Sequence, residues 1–229
     1  NMYPAFLVLI IVLSYLLLRS VSASLLSLII IFLSILPSMG SAGWLEYQVL
    51  PPLIIAPIVI LTIALAHAIH ILSIALSNMN EGMQKDIAII ESMKINFMPV
   101  FLTSFTTGVG VAGVNFGNIP AFSEMANAVV FGSLYSFLLS ITVLPALFMI
   151  MPIKSSRKNN LILPALYALG NFIFKFKYYV ITIVSLLTVF LVSLIPSLYF
   201  DDDFDAYFDR VDDWVEVKNI VNDEFGSSF

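Results

Sequence analysis

Six stretches free of Asp, Glu, Lys and Arg dominate the 229-residue chain: residues 1–18, 20–45, 47–80, 95–123, 125–153 and 178–200. The hydrocarbon core of a bilayer is about 30 Å thick and takes about 20 apolar residues of helix to cross. Five of the stretches exceed that length, and the first is just long enough. Within hydrocarbon every backbone N–H and C=O needs a partner, which a helix supplies from its own segment. The sequence therefore predicts an all-α polytopic membrane protein with six transmembrane helices. Composition agrees, with 60% hydrophobic and only 11% charged residues, against about a quarter charged in soluble domains. An ordinary soluble enzyme is excluded.

Basic residues orient the spans. Arg19, then Lys85 and Lys94, then Lys154, Arg157, Lys158, Lys175 and Lys177 fall in the connections on one side, and the short connections on the other side contain none. By the positive-inside rule the first side is cytoplasmic. The segment after Phe200 then lies outside the cytoplasm. It holds ten acids against Arg210 and Lys218, whereas residues 1–200 hold five acids and eight bases. The net charge of −5 thus hides two opposite parts, and no nucleic-acid partner is expected. The chain opens in a span without a basic leader and runs into an acidic region, so it reads as an internal piece of a larger protein. Cysteine is absent, which removes disulfides and thiolate metal sites.

Two cytoplasmic connections carry structure of their own. Residues 80–96 place Met83, Ile87 and Ile90 at helical spacing, with Glu81 and Lys85 four apart on the other side. That pattern predicts a short amphipathic helix on the membrane interface, separate from the fourth span. Residues 161–176, after the polar stretch 154–160, predict a second helix along the surface; the alternative, a seventh short span, would break the charge asymmetry. In the acidic tail, Phe204, Ala206 and Phe208 alternate with Asp205, Tyr207 and Asp209, and a strand followed by a short helix is expected.

The third span holds the only two histidines, His67 and His70. Their three-residue spacing puts them at neighbouring positions of one helical face, with Ser73 and Ser77. An ionisable group at membrane depth faces a polar interior or a proton path, and histidine titrates near neutral pH. The same residues also suit a neutral imidazole bonded to a neighbouring helix, and no third ligand points to a metal. The fourth span concentrates Pro99, Thr103, Ser104, Thr106, Thr107, Gly108, Gly110 and Gly113. Small and hydroxyl residues permit close helix approach, and Thr106 or Thr107 could relay protons to the third span. Pro99 reads as a feature of the helix start. Gly132, Ser133, Ser136 and Ser140 form a second small-residue stripe, read as packing, and Glu124 reads as a solvated carboxylate in the hairpin between the fourth and fifth spans. The run Asp201, Asp202, Asp203, Asp205 lacks the glycine and spacing of an EF-hand. A nucleotide-cradling loop and a Ser-His-acid arrangement are also missing, so neither enzymatic activity nor a cofactor is expected.

Leu17-Leu-Arg19-Ser, Ala66-His-Ala-Ile-His70-Ile-Leu and Phe101-Leu-Thr-Ser-Phe-Thr-Thr-Gly-Val-Gly110, in that order, resemble the resistance-nodulation-cell division (RND) superfamily. The likeness is greatest to its lipid and hydrophobe exporters, which have a sterol-sensing-like membrane core. Thr142-Val-Leu-Pro145-Ala-Leu-Phe148 and Asp205-Ala-Tyr-Phe-Asp209 are also similar. The resemblance implies that residues 1–153 are five helices of the first half of a two-half transporter, 154–177 a cytoplasmic linker, 178–200 the first helix of the second half and 201–229 the start of an α+β extracytoplasmic porter domain. It implies a multi-pass protein of the bacterial inner membrane, driven by the proton motive force, whose partners are a lipid or hydrophobic substrate, membrane lipids and the remaining half, with homo-oligomers compatible. Proton-coupled members carry an acid where this chain has His67. The rival implications are a lipid-binding regulator with a sterol-sensing-like core and an auxiliary subunit of protein export.

Overall fold

The structure, a computed structural model, describes residues 2–117, 119–153 and 162–197. The expected strand and helix of the acidic tail, and the polar stretch at 154–160, lie outside the described residues. Those described form α1 (Met2–Leu18), α2 (Val21–Trp44), α3 (Pro51–Asn80), α4 (Lys85–Ala112), α5 (Pro120–Ile141), α6 (Val143–Ile150), α7 (Ile162–Lys175) and α8 (Lys177–Ser193), with short 3₁₀ turns at Gly113–Gly117 and Ile195–Ser197, and no strand. Among the described residues, four helical stretches are long and apolar enough to cross a membrane: Val21–Trp44, Pro51–Asn80, Lys85–Gly117 and Pro120–Ile150. The described residues are all helical apart from their turns, and the chain is a polytopic membrane protein. The chain divides into two units, Asn1–Asn159 and Asn160–Phe229.

In the first unit α5 is central, packed against α2, α3 and α4, and α1 lies against α2 and α3. Hydrocarbon gives helices no hydrophobic drive toward one another, so close contact has to come from small residues and hydrogen bonds. The buried face of α3 shows the first device: Ala56, Ala64, Ala68 and Ala75 are all fully covered. Serines supply the second. Ser14 and Ser27 share a hydrogen bond of 2.8 Å across α1 and α2, and the Ser38 hydroxyl donates to the Ala128 carbonyl at 2.6 Å. Around them, Leu26, Ile30, Ile71, Leu72, Leu144 and Phe148 form the largest apolar cluster.

Local chemistry sets the ends of the helices. Pro51 and Pro120 open α3 and α5, where a missing N–H leaves no bond unmade. After α3, Gly82 takes φ +96°, a conformation open to glycine, and the chain turns back into α4. Lys85 then reaches the far end of α6, donating to the carbonyls of Met149 at 3.1 Å and Met151 at 2.6 Å, with its ammonium 5.5 Å from the centre of the Phe148 ring. A lysine satisfies the free carbonyls at a helix C-terminus and complements its dipole.

Three expectations from sequence are corrected. The amphipathic segment and the fourth span are one continuous helix, α4, so Pro99 sits inside it rather than at its start. Glu91 and Lys94 pair at 2.6 Å along its surface, which explains how a charged stretch stays helical. Glu81 lies in the turn before α4 and does not share a helix with Lys85. The hairpin between the fourth and fifth spans turns at Gly113–Gly117, and Glu124 is already helical in α5, where its carboxylate accepts the Gln48 backbone N–H at 3.1 Å. The fifth span is interrupted at Thr142, between α5 and α6; Pro145, three residues on, lacks the N–H that would bond back across that point.

The second unit is an elbow. α7 and α8 meet at Phe176 and are bent by 84°. Phe172, Phe176 and Tyr179 pack ring to ring inside the bend, with centroids 5.1 and 6.4 Å apart. Lys175 and Lys177 flank it.

Candidate functional site

His67 is the largest polar side chain in the core of the first unit, 1% exposed, and it is held from two helices. Its Nδ1 lies 2.9 Å from the Ser136 hydroxyl of α5, and its Nε2 lies 3.3 Å from the Ser104 hydroxyl of α4. Ser133, one turn before Ser136, donates to the Ser104 carbonyl at 2.8 Å and so ties α5 to α4 beside the ring. The site is therefore built from α3, α4 and α5, which all pack against one another.

Sequence dictates this convergence. Ser133 and Ser136 are three apart and share a face of α5, and Gly132 beside them removes the bulk that would hold α3 away. A Cβ at Gly132 would overlap the side chain of Ile60, which is fully buried. That contact seats α3 on α5 at Ile60, two turns before His67, and the imidazole meets Ser136.

Chemically, the cage holds a titratable ring between two neutral hydroxyls. A neutral imidazole offers one donor and one acceptor, and a serine can play either part. Both tautomers are thus satisfied by the same three side chains, and a proton can arrive at one nitrogen while another leaves from the other. A permanently ionised group would need a countercharge; the hydrogen-bond partners of His67 supply none.

Further along the same interface, Ser92 of α4 donates to the Ile71 carbonyl at 2.5 Å, and Asn96 donates to the Ser92 carbonyl at 2.9 Å. Ser140, one turn beyond Ser136, is fully buried, and its hydroxyl has no partner.

The expected relay residues fall apart into two groups. His70 is exposed and does not share the environment of His67. Thr103 and Thr106 are exposed and turn their hydroxyls back to their own helix, to the carbonyls of Pro99 at 2.8 Å and Leu102 at 2.7 Å. Thr107 and Gly108 are half-buried, and Gly110 is exposed. A Cβ at Gly108 or Gly110 would meet nothing within 4 Å, so among the described residues no helix packs closely on either glycine. Of the fourth-span residues named from sequence, Ser104 is the one bonded to His67. Ser133 and Ser136, read from sequence as packing, are the side chains that complete the site. A signal was present: hydroxyls three apart on the helix after the one that carries Ser104.

Comparison with known proteins gives one match. A family model described as the MMPL family matches residues 2–164, which takes in α1 to α6 and the whole His67 site. The curated proteins and the solved structures yield no match.

Proposed function

The chain belongs to the MMPL family of RND-type membrane transporters, and from that premise we propose that its core moves a lipid or other hydrophobic molecule, using the proton motive force through His67. The observation that carries this reading is the cage: a buried titratable ring bonded on both nitrogens, at the contact of three membrane-length helices. An ionisable group is expensive at membrane depth and marks a pathway there. Protonation of the ring would force the Ser104 and Ser136 hydroxyls to accept rather than donate, and that rearrangement would loosen or tighten α4 and α5 against α3.

In this reading the protein crosses the bacterial inner membrane six times. Four spans are the long stretches already described, the fifth is α1, and the sixth is α8. The elbow supports α7 lying along the cytoplasmic surface while α8 crosses, with Lys175 and Lys177 at the interface. The acidic segment from Asp201 would begin an extracytoplasmic domain, and the remaining half of the transporter would pack on this core. A lipid-binding regulator is the second reading. It is favoured by the presence of His67 where a proton-coupled relative would have an acid, since a ring with both nitrogens satisfied can serve as a static strut.

The two readings separate in proteoliposomes holding the intact protein and a fluorescent lipid in one leaflet. Transport predicts lipid movement when a pH gradient is imposed and none after a protonophore is added. Saturable lipid binding with no gradient-dependent movement would favour the regulator.

A further inference from the structure

A crevice of about 360 Å³ runs between α4 and α5. Phe101 and Phe137 stand at one end, edge to face with centroids 5.7 Å apart, and Ala112 and Val130 line the other. From Phe101 to Ala112 the helix rises about 16 Å, close to the thickness of one leaflet of hydrocarbon, about 15 Å. Its volume falls within the range of small-molecule sites. The lining is apolar except for Ser104, which bonds His67, and Ser133, which bonds the Ser104 carbonyl.

Two observations say what this space takes. Gly108 lines it, and a Cβ there would meet nothing within 4 Å; the glycine keeps a slot open, where a packing glycine would have closed one. Ser104 is 7% exposed and bonds His67 at a long 3.3 Å, which leaves its oxygen with capacity for a further hydrogen bond. An apolar slot of leaflet length with the Ser104 hydroxyl in its wall, the neighbouring Ser133 hydroxyl being already bonded to the Ser104 carbonyl, is complementary to a hydrocarbon chain bearing one neutral hydroxyl.

We propose that the α4–α5 crevice binds such a long-chain hydroxylated amphiphile, its chain along Gly108 and Ala112 and its hydroxyl on Ser104. Occupancy then reaches His67 through one shared serine. The site stands as a binding site whether or not the protein transports.

Photolabelling of the intact protein in liposomes with a diazirine-bearing long-chain alcohol tests this. Labels are expected within residues 101–112 and 130–137, and hexadecanol is expected to compete about fivefold better than hexadecane, the factor worth one net hydrogen bond. Gly108→Leu should fold, because the space is open, and should lose most of the labelling. Gly40→Leu, at an uncovered glycine of α2, should keep it. Ser104→Ala should equalise the two competitors. Labelling spread evenly over all lipid-facing helices, equal competition by the alkane in the parent protein, or unchanged labelling of Gly108→Leu would each overturn the proposal. A fall in labelling on formation of a cross-linked dimer through α4 would also overturn it, by assigning the crevice to a second copy. Absence of gradient-driven transport would leave these results intact, so the two readings fail separately.

Discussion

Gly132 on α5 and Gly108 on α4 look alike as sequence: each is a glycine next to hydroxyl residues inside an apolar span. In the folded chain they do opposite things. At Gly132 another helix has moved in, and a Cβ would overlap Ile60; at Gly108 nothing has moved in, and a Cβ would stand in open space. The first glycine seats α3 on α5 and brings His67 to Ser136. The second lines a crevice whose wall includes Ser104, the partner of the same histidine. A small residue in a membrane helix is thus a statement about volume, and its neighbours decide whether that volume is closed or kept.

Breaking the closed side should have the largest effect. Gly132→Leu is expected to prevent stable folding, and Gly132→Ala to destabilise by about 1–3 kcal/mol through overpacking. The companion substitution Ile60→Ala in the Gly132→Ala background should recover part of that loss. Thermal unfolding in detergent, followed by monodispersity, reads all three. Full stability of Gly132→Leu would show that α3 and α5 are not in contact there.

Removing the ring comes next. His67→Leu leaves the Ser136 and Ser104 hydroxyls without their partner in a buried site, a loss of about 1–3 kcal/mol. Ser136→Ala should be milder, near the average of about 0.6 kcal/mol for hydrogen bonds between membrane helices. A double-mutant cycle between positions 67 and 136 should give a coupling energy of that sign, whereas zero coupling would detach Ser136 from the site. On the open side, Gly108→Ala should be the smallest change, neutral or stabilising by up to about 1 kcal/mol, because alanine favours helix and meets no neighbour. A marked loss of stability would mean that the crevice is filled by protein.

Much of this architecture is legible without coordinates, because charge is so costly in hydrocarbon that its absence outlines the spans. The long stretches 20–45 and 47–80 become α2 and α3 almost residue for residue. The limits of α4 are less legible, since the charges of Glu91 and Lys94, which pair on its surface, read in sequence as a separate interfacial helix ahead of the span. The two histidines show a finer limit. Three residues apart on a helix of 3.6 residues per turn, they differ by about 60° in direction, and that angle suffices to bury His67 and expose His70. Which of them finds serines depends on Ile60 and Gly132, a contact between residues 72 positions apart that no local pattern encodes. The threonines at 103, 106 and 107 were attractive as chemistry, but a threonine in a helix can satisfy itself on the carbonyl four residues back, and Thr103 and Thr106 do so.

The two histidines also provide the most direct test. Lipid movement by the intact protein in proteoliposomes, driven by an imposed pH gradient and divided by the amount of folded protein, should be compared for the parent chain, His67→Gln and His70→Gln. Glutamine keeps hydrogen-bonding capacity but does not titrate, so the account predicts that His67→Gln loses most gradient-driven movement while His70→Gln retains it. A parent-like rate for His67→Gln would contradict the assignment of His67 as the proton-responsive residue of this core.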